Sequence, residues 1–135
     1  SRSGGDSSPP IGWTGAPKGT RSLVIFCESQ GPAPMFPWIL FDLPPSPATV
    51  FGGLPKSGEL ENGARQGTNS FGVTGWTGPD DCCGNTVLTF TAYALSDFLG
   101  LPPGSSPADV KAAVEPLVVG STGFTGSYLS RSPIV

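Results

Sequence analysis

The sequence predicts a mainly β fold with one helix near the C-terminal end and long loops. Two continuous apolar runs and one alternating segment have the lengths of strands, and glycine or proline residues flank them. A fourth segment has the capping residues and apolar spacing of a helix. The 135 residues are expected to form a single domain, 1–135, with its own buried core.

The first predicted strand is the run LVIFC at residues 23–27, whose continuous apolar character indicates burial on both faces. The second is WILF at residues 38–41, which Pro44 and Pro45 stop. The third covers residues 87–95 and alternates with the period of two that a strand requires. One of its faces carries Leu88, Phe90, Ala92 and Ala94, and the other carries Thr89, Thr91 and Tyr93.

Three segments between and before these strands are expected to be loops. Residues 1–8 are small and polar and should be flexible. Prolines in residues 28–37 should prevent ladder pairing there. Residues 44–62, with paired glycines and Pro55, read as a long surface loop.

The predicted helix begins after Ser106, whose hydroxyl is a suitable N-cap. Pro107 suits the first helical position, and Asp109 lies where a carboxylate meets free backbone N–H groups. Pro116 should end or kink the helix. Its apolar face consists of Val110, Ala113, Val114 and Leu117, and a short strand could follow from Val118 and Val119 toward Phe124 and Tyr128.

Composition excludes several classes of function. The chain has no histidine, so Ser-His and Cys-His nucleophile pairs are ruled out. The spacing of Cys27, Cys82 and Cys83 matches no metal motif, and no nucleotide-binding motif occurs, so no metal or cofactor is expected. Asp80 and Asp81 could form a calcium or proton-transfer pair, but a solvated turn is the favoured interpretation.

The same composition argues against two kinds of partner. Seven scattered basic residues and a net charge of -3 argue against nucleic acid. No apolar run approaches the length of a membrane span, so an integral membrane protein is not expected. The sequence leaves open whether the protein is cytoplasmic or secreted.

The segment QGTNSFGVTGWTGP at residues 66–79 is the candidate functional stretch. Its glycines recur between aromatic residues without a strict period, which is typical of a backbone that bends repeatedly at the rim of a pocket. A glycine-rich surface loop is the alternative. A pocket wall is favoured because large aromatic side chains are poor choices for a solvated loop.

Several segments resemble the phosphatidylethanolamine-binding protein family. Asn69 to Pro79 is similar to the family's N-x-F-G-x-x-G-Y-x-G-P segment, and residues 8–15 to S-P-P-L-x-W-x-G. Residues 19–23, 90–95 and 126–128 also resemble family segments, in the same order. The resemblance implies an antiparallel β-sandwich with a small-molecule pocket. It also implies β structure before residue 8, which is absent from this sequence or was trimmed.

The positions that match the family's anion site have changed. The resemblance implies a pocket that binds an anion. In the family this pocket is formed by a D-P-D-x-P loop, a His before a Trp and a G-x-H-R-Y segment. Here the first loop reads SQGPAP from Ser29, the His-Trp pair is Pro37-Trp38, and residues 84–88 read GNTVL. Losing two or three hydrogen bonds to a phosphate costs at least about 3 kcal/mol, or roughly a hundredfold in affinity. Binding of a phospholipid headgroup is therefore not expected.

Three functions remain open at this point. The first is a binding protein for a small organic or amphiphilic ligand, or for a protein partner or a second copy. The second is a cyclase or coupling enzyme of secondary metabolism, of the polyketide or maleidride type, that acts by orienting its substrate. The third is a relative that kept only the fold.

The resemblance also identifies candidate ligand-binding residues, and no catalytic residue is assigned. Trp38 and Trp76 are expected to face the cavity, with Phe36 and Leu88 near them; ordinary core packing is the alternative, above all for Trp38. The full set is Pro37, Trp38, Asn69, Phe71, Trp76, Pro79, Thr86, Leu88 and Tyr128.

In this family the segments that carry the cysteines converge at the pocket. A disulfide from Cys27 to Cys82 or Cys83 is one expectation, because adjacent cysteines rarely pair with each other. The alternative is that all three are small buried apolar residues.

Overall fold

In the part of the chain that the structure describes, seven strands form two antiparallel sheets, and one α-helix packs on the larger sheet. The computed structural model describes residues 11–13, 16–29, 35–45, 49–50, 53–60, 62–77 and 88–125, with the backbone alone at 49–50 and 123–125. The strands are β1 Ile11–Gly12, β2 Ser22–Ser29, β3 Trp38–Leu43, β4 Thr49–Val50, β5 Arg65–Gln66, β6 Leu88–Leu95 and β7 Val118–Thr125. The larger sheet has the order β5-β3-β2-β6-β7, and β1 pairs with β4.

Strand β2 lies at the centre of the larger sheet. It pairs with β3, where Cys27 is opposite Trp38, and along its whole length with β6, from Ser22 opposite Leu95 to Ser29 opposite Leu88. The predicted strand at residues 23–27 is confirmed, but β2 begins one residue earlier and ends two residues later. The expectation of no ladder pairing in residues 28–37 is therefore wrong for Glu28 and Ser29, which precede the prolines and pair with β6. Its position between two neighbours explains why an apolar run without alternation forms a strand here.

The two faces of the larger sheet carry two separate apolar clusters. One contains Leu23, Ile25 and Cys27 of β2 together with three tryptophans, Trp13, Trp38 and Trp76, and we call it the tryptophan face. The other, the helix face, contains Val24 and Phe26 and is covered by Val110 and Val114. Successive side chains of β2 thus alternate between the two faces, as the period of a strand requires.

Strand β6 has the predicted alternation. Phe90, Ala92 and Ala94 are buried on the tryptophan face, and Tyr93 packs on the helix face. The strand begins at Leu88, and residue 87 lies outside the described residues. The edge strand β7 follows from Val118, as predicted, and pairs with β6.

The predicted helix is also confirmed, as α1 Pro107–Val114. The Ser106 hydroxyl accepts a hydrogen bond from the backbone N–H of Asp109, and Pro107 occupies the first turn. The helix passes into a 3₁₀ turn at Glu115–Leu117, which contains Pro116, because proline cannot continue the hydrogen-bond ladder.

The prediction of an irregular surface loop at residues 44–62 is wrong in part. Strand β4 lies within it, and Glu59 forms an isolated bridge with Arg65. Leu54 and Leu60 pack against the tryptophan face. The high proline and glycine content of this segment indicated a loop, and Leu54 and Leu60 are too far apart to form a periodic apolar pattern.

None of the helices in the described part of the chain has the length and apolar character needed to cross a membrane.

Candidate functional site

The glycine-rich segment folds back on itself at one end of the larger sheet. Gln66 ends β5, the N–H of Gly67 donates to the carbonyl oxygen of Ile39 at 3.0 Å, and Thr68 forms a bridge with Thr74. A Cβ atom on Gly67 would lie 2.6 Å from the carbonyl oxygen of Ser105. Only glycine allows two backbone segments to approach so closely.

The side chain of Asn69 holds this segment together. Its Nδ2 is within hydrogen-bond distance of the Pro37 and Gly75 carbonyl oxygens, at 3.1 and 3.0 Å, and of Thr77 Oγ1 at 2.8 Å. Its Oδ1 accepts from the backbone N–H groups of Phe71 and Val73. Because Asn69 is buried and every polar atom of its side chain has a partner, its observed role is to hold the turn at residues 69–75 in place.

Residues 35–38 are clamped to the glycine-rich segment. The N–H of Phe36 donates to the Ser70 hydroxyl at 2.8 Å, and the N–H of Ser70 donates back to the Phe36 carbonyl oxygen at 3.0 Å. The N–H of Thr77 donates to the Pro37 carbonyl oxygen at 3.1 Å. Four of the residues predicted to bind a ligand are therefore brought together: Pro37, Trp38, Asn69 and Trp76.

Ser29 closes the loop that enters residues 35–38. Its backbone N–H donates to the Met35 carbonyl oxygen at 2.8 Å, and its hydroxyl accepts from the Met35 N–H at 3.0 Å. The hydroxyl also lies 3.4 Å from the Met35 carbonyl oxygen. The polar groups of this residue are thus engaged in closing the loop.

Three aromatic rings contact one another on the tryptophan face. Trp38 and Trp76 meet edge to face with 5.7 Å between ring centroids, and Trp76 lies nearly parallel to Phe90 at 6.5 Å. The indole N–H of Trp38 donates to Gln66 Oε1 at 2.8 Å. Leu88 packs against the same cluster, as expected. Both tryptophans are buried in the apolar core, which agrees with the alternative of core packing, and their contact with a ligand stays a prediction.

The expectation that Phe36 accompanies the tryptophans is wrong. Its ring packs edge to face against Phe26 at 5.8 Å, on the helix face, and Lys111 Nζ lies 5.4 Å from its centroid. Trp38 is the first residue of β3, so Pro37 and Phe36 lie outside the strand. The alternation of side chains in β3 therefore does not extend back to Phe36, although Phe36 and Trp38 are two positions apart.

The remaining predicted site residues are distributed as follows. Phe71 is half-buried in the turn that Asn69 caps. Pro79, Thr86 and Tyr128 lie outside the described residues, as do Asp80, Asp81, Cys82 and Cys83.

Cys27 is a free, buried thiol, which contradicts the expected disulfide from this residue and agrees with the alternative of a small apolar residue. Burial raises the pKa of the Cys27 thiol far above its usual range, and the neighbouring Glu28 raises it further. The thiol is therefore protonated and has no nucleophilic character at neutral pH.

Sequence reasoning missed two polar residues that position the site, Gln66 and Lys56, and a third, Asp42, that holds a loop elsewhere in the fold. Gln66 donates from Nε2 to the Pro55 and Ser57 carbonyl oxygens, each at 2.8 Å, and so ties the preceding loop to Trp38. Lys56 Nζ donates to the Trp76 carbonyl oxygen at 2.6 Å. Asp42 adopts a left-handed φ of 54° and accepts from the N–H groups of Leu99 and Gly100. The sequence signal for Asp42 was a single acidic residue between two apolar residues, Phe41 and Leu43.

Within the described part of the chain, the acidic residues and cysteines form no group of three or more that could hold a metal ion.

Comparisons with known proteins agree with this architecture. Residues 1–129 match the family model described as phosphatidylethanolamine-binding protein. A UPF0098 protein of Methanothermobacter thermautotrophicus is 35% identical over 127 residues, which cover 93% of this chain and 84% of that protein. A UPF0098 protein of Aquifex aeolicus is 35% identical over 130 residues, covering 93% of this chain and 75% of that protein.

Two crystal structures have a similar fold at lower sequence identity. YbcL of Escherichia coli, described as a new member of the mammalian PEBP family, has a TM-score of 0.77 and 23% identity, covering 93% of this chain and 81% of that chain. The PEBP homolog CT736 of Chlamydia trachomatis has a TM-score of 0.76 and 24% identity, covering 90% of this chain and 80% of that chain.

Proposed function

Because the chain belongs to the phosphatidylethanolamine-binding protein family, we propose that it is a single-domain binding protein whose pocket holds a small organic ligand without a phosphate. The proposed pocket lies where residues 35–38 meet the glycine-rich segment. The observation that carries the proposal is that the described groups at the matched anion-site positions are already engaged within the protein.

Two positions supply this observation. Ser29 stands where the family motif has an aspartate, and its hydroxyl accepts from the Met35 N–H. Pro37 stands where the motif has a histidine, and its carbonyl oxygen accepts from Thr77 and Asn69. Neither residue brings a positive charge or a free donor, which a phosphate requires.

The apolar surroundings of these positions support a ligand with little charge. The rings of Trp38, Trp76 and Phe90 contact one another in a buried aromatic cluster, and Leu88 packs against it. Pockets for small organic molecules combine apolar surfaces with a few polar groups. The carbonyl-rich wall around Asn69 supplies polarity without charge.

Binding of a neutral aromatic probe tests the proposal. We expect dimethylaminonaphthalene to bind with saturable fluorescence enhancement and a micromolar Kd, and phosphoethanolamine to give no heat in titration calorimetry at the same protein concentration. A micromolar Kd for phosphoethanolamine would contradict the proposal. If neither compound binds, the pocket is not functional and the fold-only interpretation replaces the proposal.

A pair of variants locates the binding site. Trp76→Ala removes the central ring of the aromatic cluster and should weaken probe binding at least about tenfold if the probe binds beside this ring. Phe98→Ala is the matched control, because Phe98 is an aromatic residue exposed on the surface. Equal losses in both variants would show that the probe binds elsewhere. Nothing in the described residues favours the catalytic alternative, which is therefore not proposed.

A further inference from the structure

Asn62 and Gly63 form an exposed asparagine-glycine pair in a tight turn. The N–H of Leu60 donates to the Ala64 carbonyl oxygen at 2.8 Å, and the N–H of Gly63 donates to the Leu60 carbonyl oxygen at 3.0 Å. Gly63 has a left-handed φ of 89°, which glycine adopts without strain. Both members of the pair are exposed, so water reaches the Asn62 carboxamide and the peptide bond that follows it.

An asparagine side chain can react with the backbone nitrogen of the residue after it. The nitrogen of Gly63 attacks Cγ of Asn62, so that a bond between these two atoms forms and the bond from Cγ to Nδ2 breaks. The Gly63 N–H proton leaves with the side-chain nitrogen as ammonia, and the product is a cyclic succinimide. Water then opens the ring at either carbonyl group, which yields aspartate or isoaspartate. Glycine favours the reaction because it has no side chain to shield its nitrogen.

The turn prepares this attack. The N–H of Ala64 donates at 3.0 Å to Oδ1 of Asn62, the oxygen that gains negative charge as the nitrogen attacks. The ring that this hydrogen bond closes contains both Cγ of Asn62 and the Gly63 nitrogen, so the turn keeps the two reacting atoms near each other. The bond from the Gly63 N–H to Leu60 opposes the reaction, but a single exposed hydrogen bond slows it by only about tenfold.

Asn69 provides a contrast within the same chain. It also precedes a small residue, Ser70, but its side chain is buried and both of its polar atoms have partners. Its Nδ2, the group that must leave, is held by two carbonyl oxygens and one hydroxyl. The third asparagine, Asn85, lies outside the described residues. The structure therefore protects Asn69 and leaves Asn62 open to reaction.

We propose that Asn62 is a site of spontaneous backbone modification, at which succinimide formation produces isoaspartate and loosens β5. Isoaspartate carries the chain through its Cβ atom, so the main chain of the turn becomes longer. The hydrogen bonds that close the turn between Leu60 and Ala64 then lose their geometry. Ala64 is completely buried, and it is followed directly by β5, in which Gln66 pairs with Leu40 of β3.

Peptide mapping by mass spectrometry tests the reaction. The protein is kept in mildly alkaline buffer, either folded or unfolded in urea, and electron-transfer fragmentation distinguishes isoaspartate from aspartate. Folding should slow the reaction by no more than about tenfold at Asn62 and by at least about a hundredfold at Asn69, whose whole turn must open first. Equal slowing at both positions would overturn the proposal. Asn62→Gln is the control, because its longer side chain closes the ring far more slowly, and it should stay unmodified at this position.

Hydrogen exchange tests the effect on β5. The N–H of Leu60 donates to Ala64 and that of Gln66 to Gly58, and both amides should exchange at least about tenfold faster in aged than in fresh protein. Freshly purified Asn62→Asp is the matched control. It carries the same added charge and keeps an acceptor for the Ala64 N–H on a chain of normal length, so it should exchange at the native rate. Equal exchange in aged protein and Asn62→Asp would overturn the loosening of β5.

Discussion

The indole N–H of Trp38 donates to Oε1 of Gln66 at 2.8 Å, and both side chains are almost completely buried. The same Gln66 side chain donates to two carbonyl oxygens of the loop before it. One amide therefore joins the core strand β3 to the segment at residues 55–57.

Gln66→Met should destabilise the protein by about 2–4 kcal/mol, because a side chain of similar size would leave a buried indole N–H and two carbonyl groups without their partner. Urea denaturation followed by tryptophan fluorescence measures the change. Glu59→Gln is the control, since its ion pair with Arg65 spans 3.5 Å at the surface and should change stability by less than about 1 kcal/mol. Equal stability of Gln66→Met and the native protein would show that this amide contributes nothing.

Asn69→Leu should open the turn at residues 69–75 locally. The change removes the acceptor for the Phe71 and Val73 N–H groups and the donor to Pro37 and Gly75. Hydrogen exchange at the Phe71 and Val73 amides should accelerate by at least about tenfold, which corresponds to the loss of roughly 1.4 kcal/mol of local protection. Ser70→Ala, which removes one exposed hydroxyl of the same turn, should leave those two amides protected.

Asp42→Ala should destabilise the protein more than Asp42→Asn does. Alanine loses both hydrogen bonds to Leu99 and Gly100 and must still adopt the left-handed φ, which is unfavourable for it. Together these effects should lower the free energy of unfolding by about 2–4 kcal/mol. Asparagine tolerates that conformation and keeps one acceptor, so about half of this loss is expected. Thermal denaturation of the two variants gives the order, and the reverse order would exclude the proposed role of backbone conformation.

The raised pKa of the Cys27 thiol predicts a loss of stability at high pH. The folded protein keeps the thiol protonated, while in the unfolded chain it ionises near its ordinary pKa of about 8.5. The protonated thiol therefore makes its full contribution to the free energy of unfolding below that pH. This contribution falls as the pH rises, by about 2 kcal/mol between pH 8 and pH 10. Denaturation at both values should show this fall, and the Cys27→Ala variant should show a shallower one. Parallel pH profiles would mean that the thiol ionises without unfolding.

The four long strands and the helix could be predicted because their signals are local, whereas the two-residue strands β1, β4 and β5 were not predicted. The apolar run in β2, the alternation in β6 and the Ser106 cap of α1 each depend on neighbouring residues. Strand β4 could not be found in this way, because two residues carry no periodicity and its pairing with Ile11 and Gly12 is formed only in the folded chain.

The site was predicted less completely for the same reason. The grouping of Pro37, Trp38, Asn69 and Trp76 followed from a family resemblance, and the structure brings them together. The contribution of Gln66 depends on a loop eleven positions away at Pro55, and no pattern in the sequence indicates that contact. Phe36 was misplaced because its direction is set by the ring of Phe26 rather than by the strand that follows it.

The central position of β2 has a consequence for the order in which the chain folds. Its partner β3 follows closely, but its other partner, β6, is separated from it by β3, β4, β5 and the glycine-rich segment. A nascent chain emerging from the ribosome would therefore hold β2 and β3 with one edge unpaired until Leu95 has been synthesised. Exposed edges of this kind attract other chains, and contacts between distant parts of a sequence form slowly. We expect refolding yields to fall with protein concentration, and the vulnerable interval to end when β6 docks.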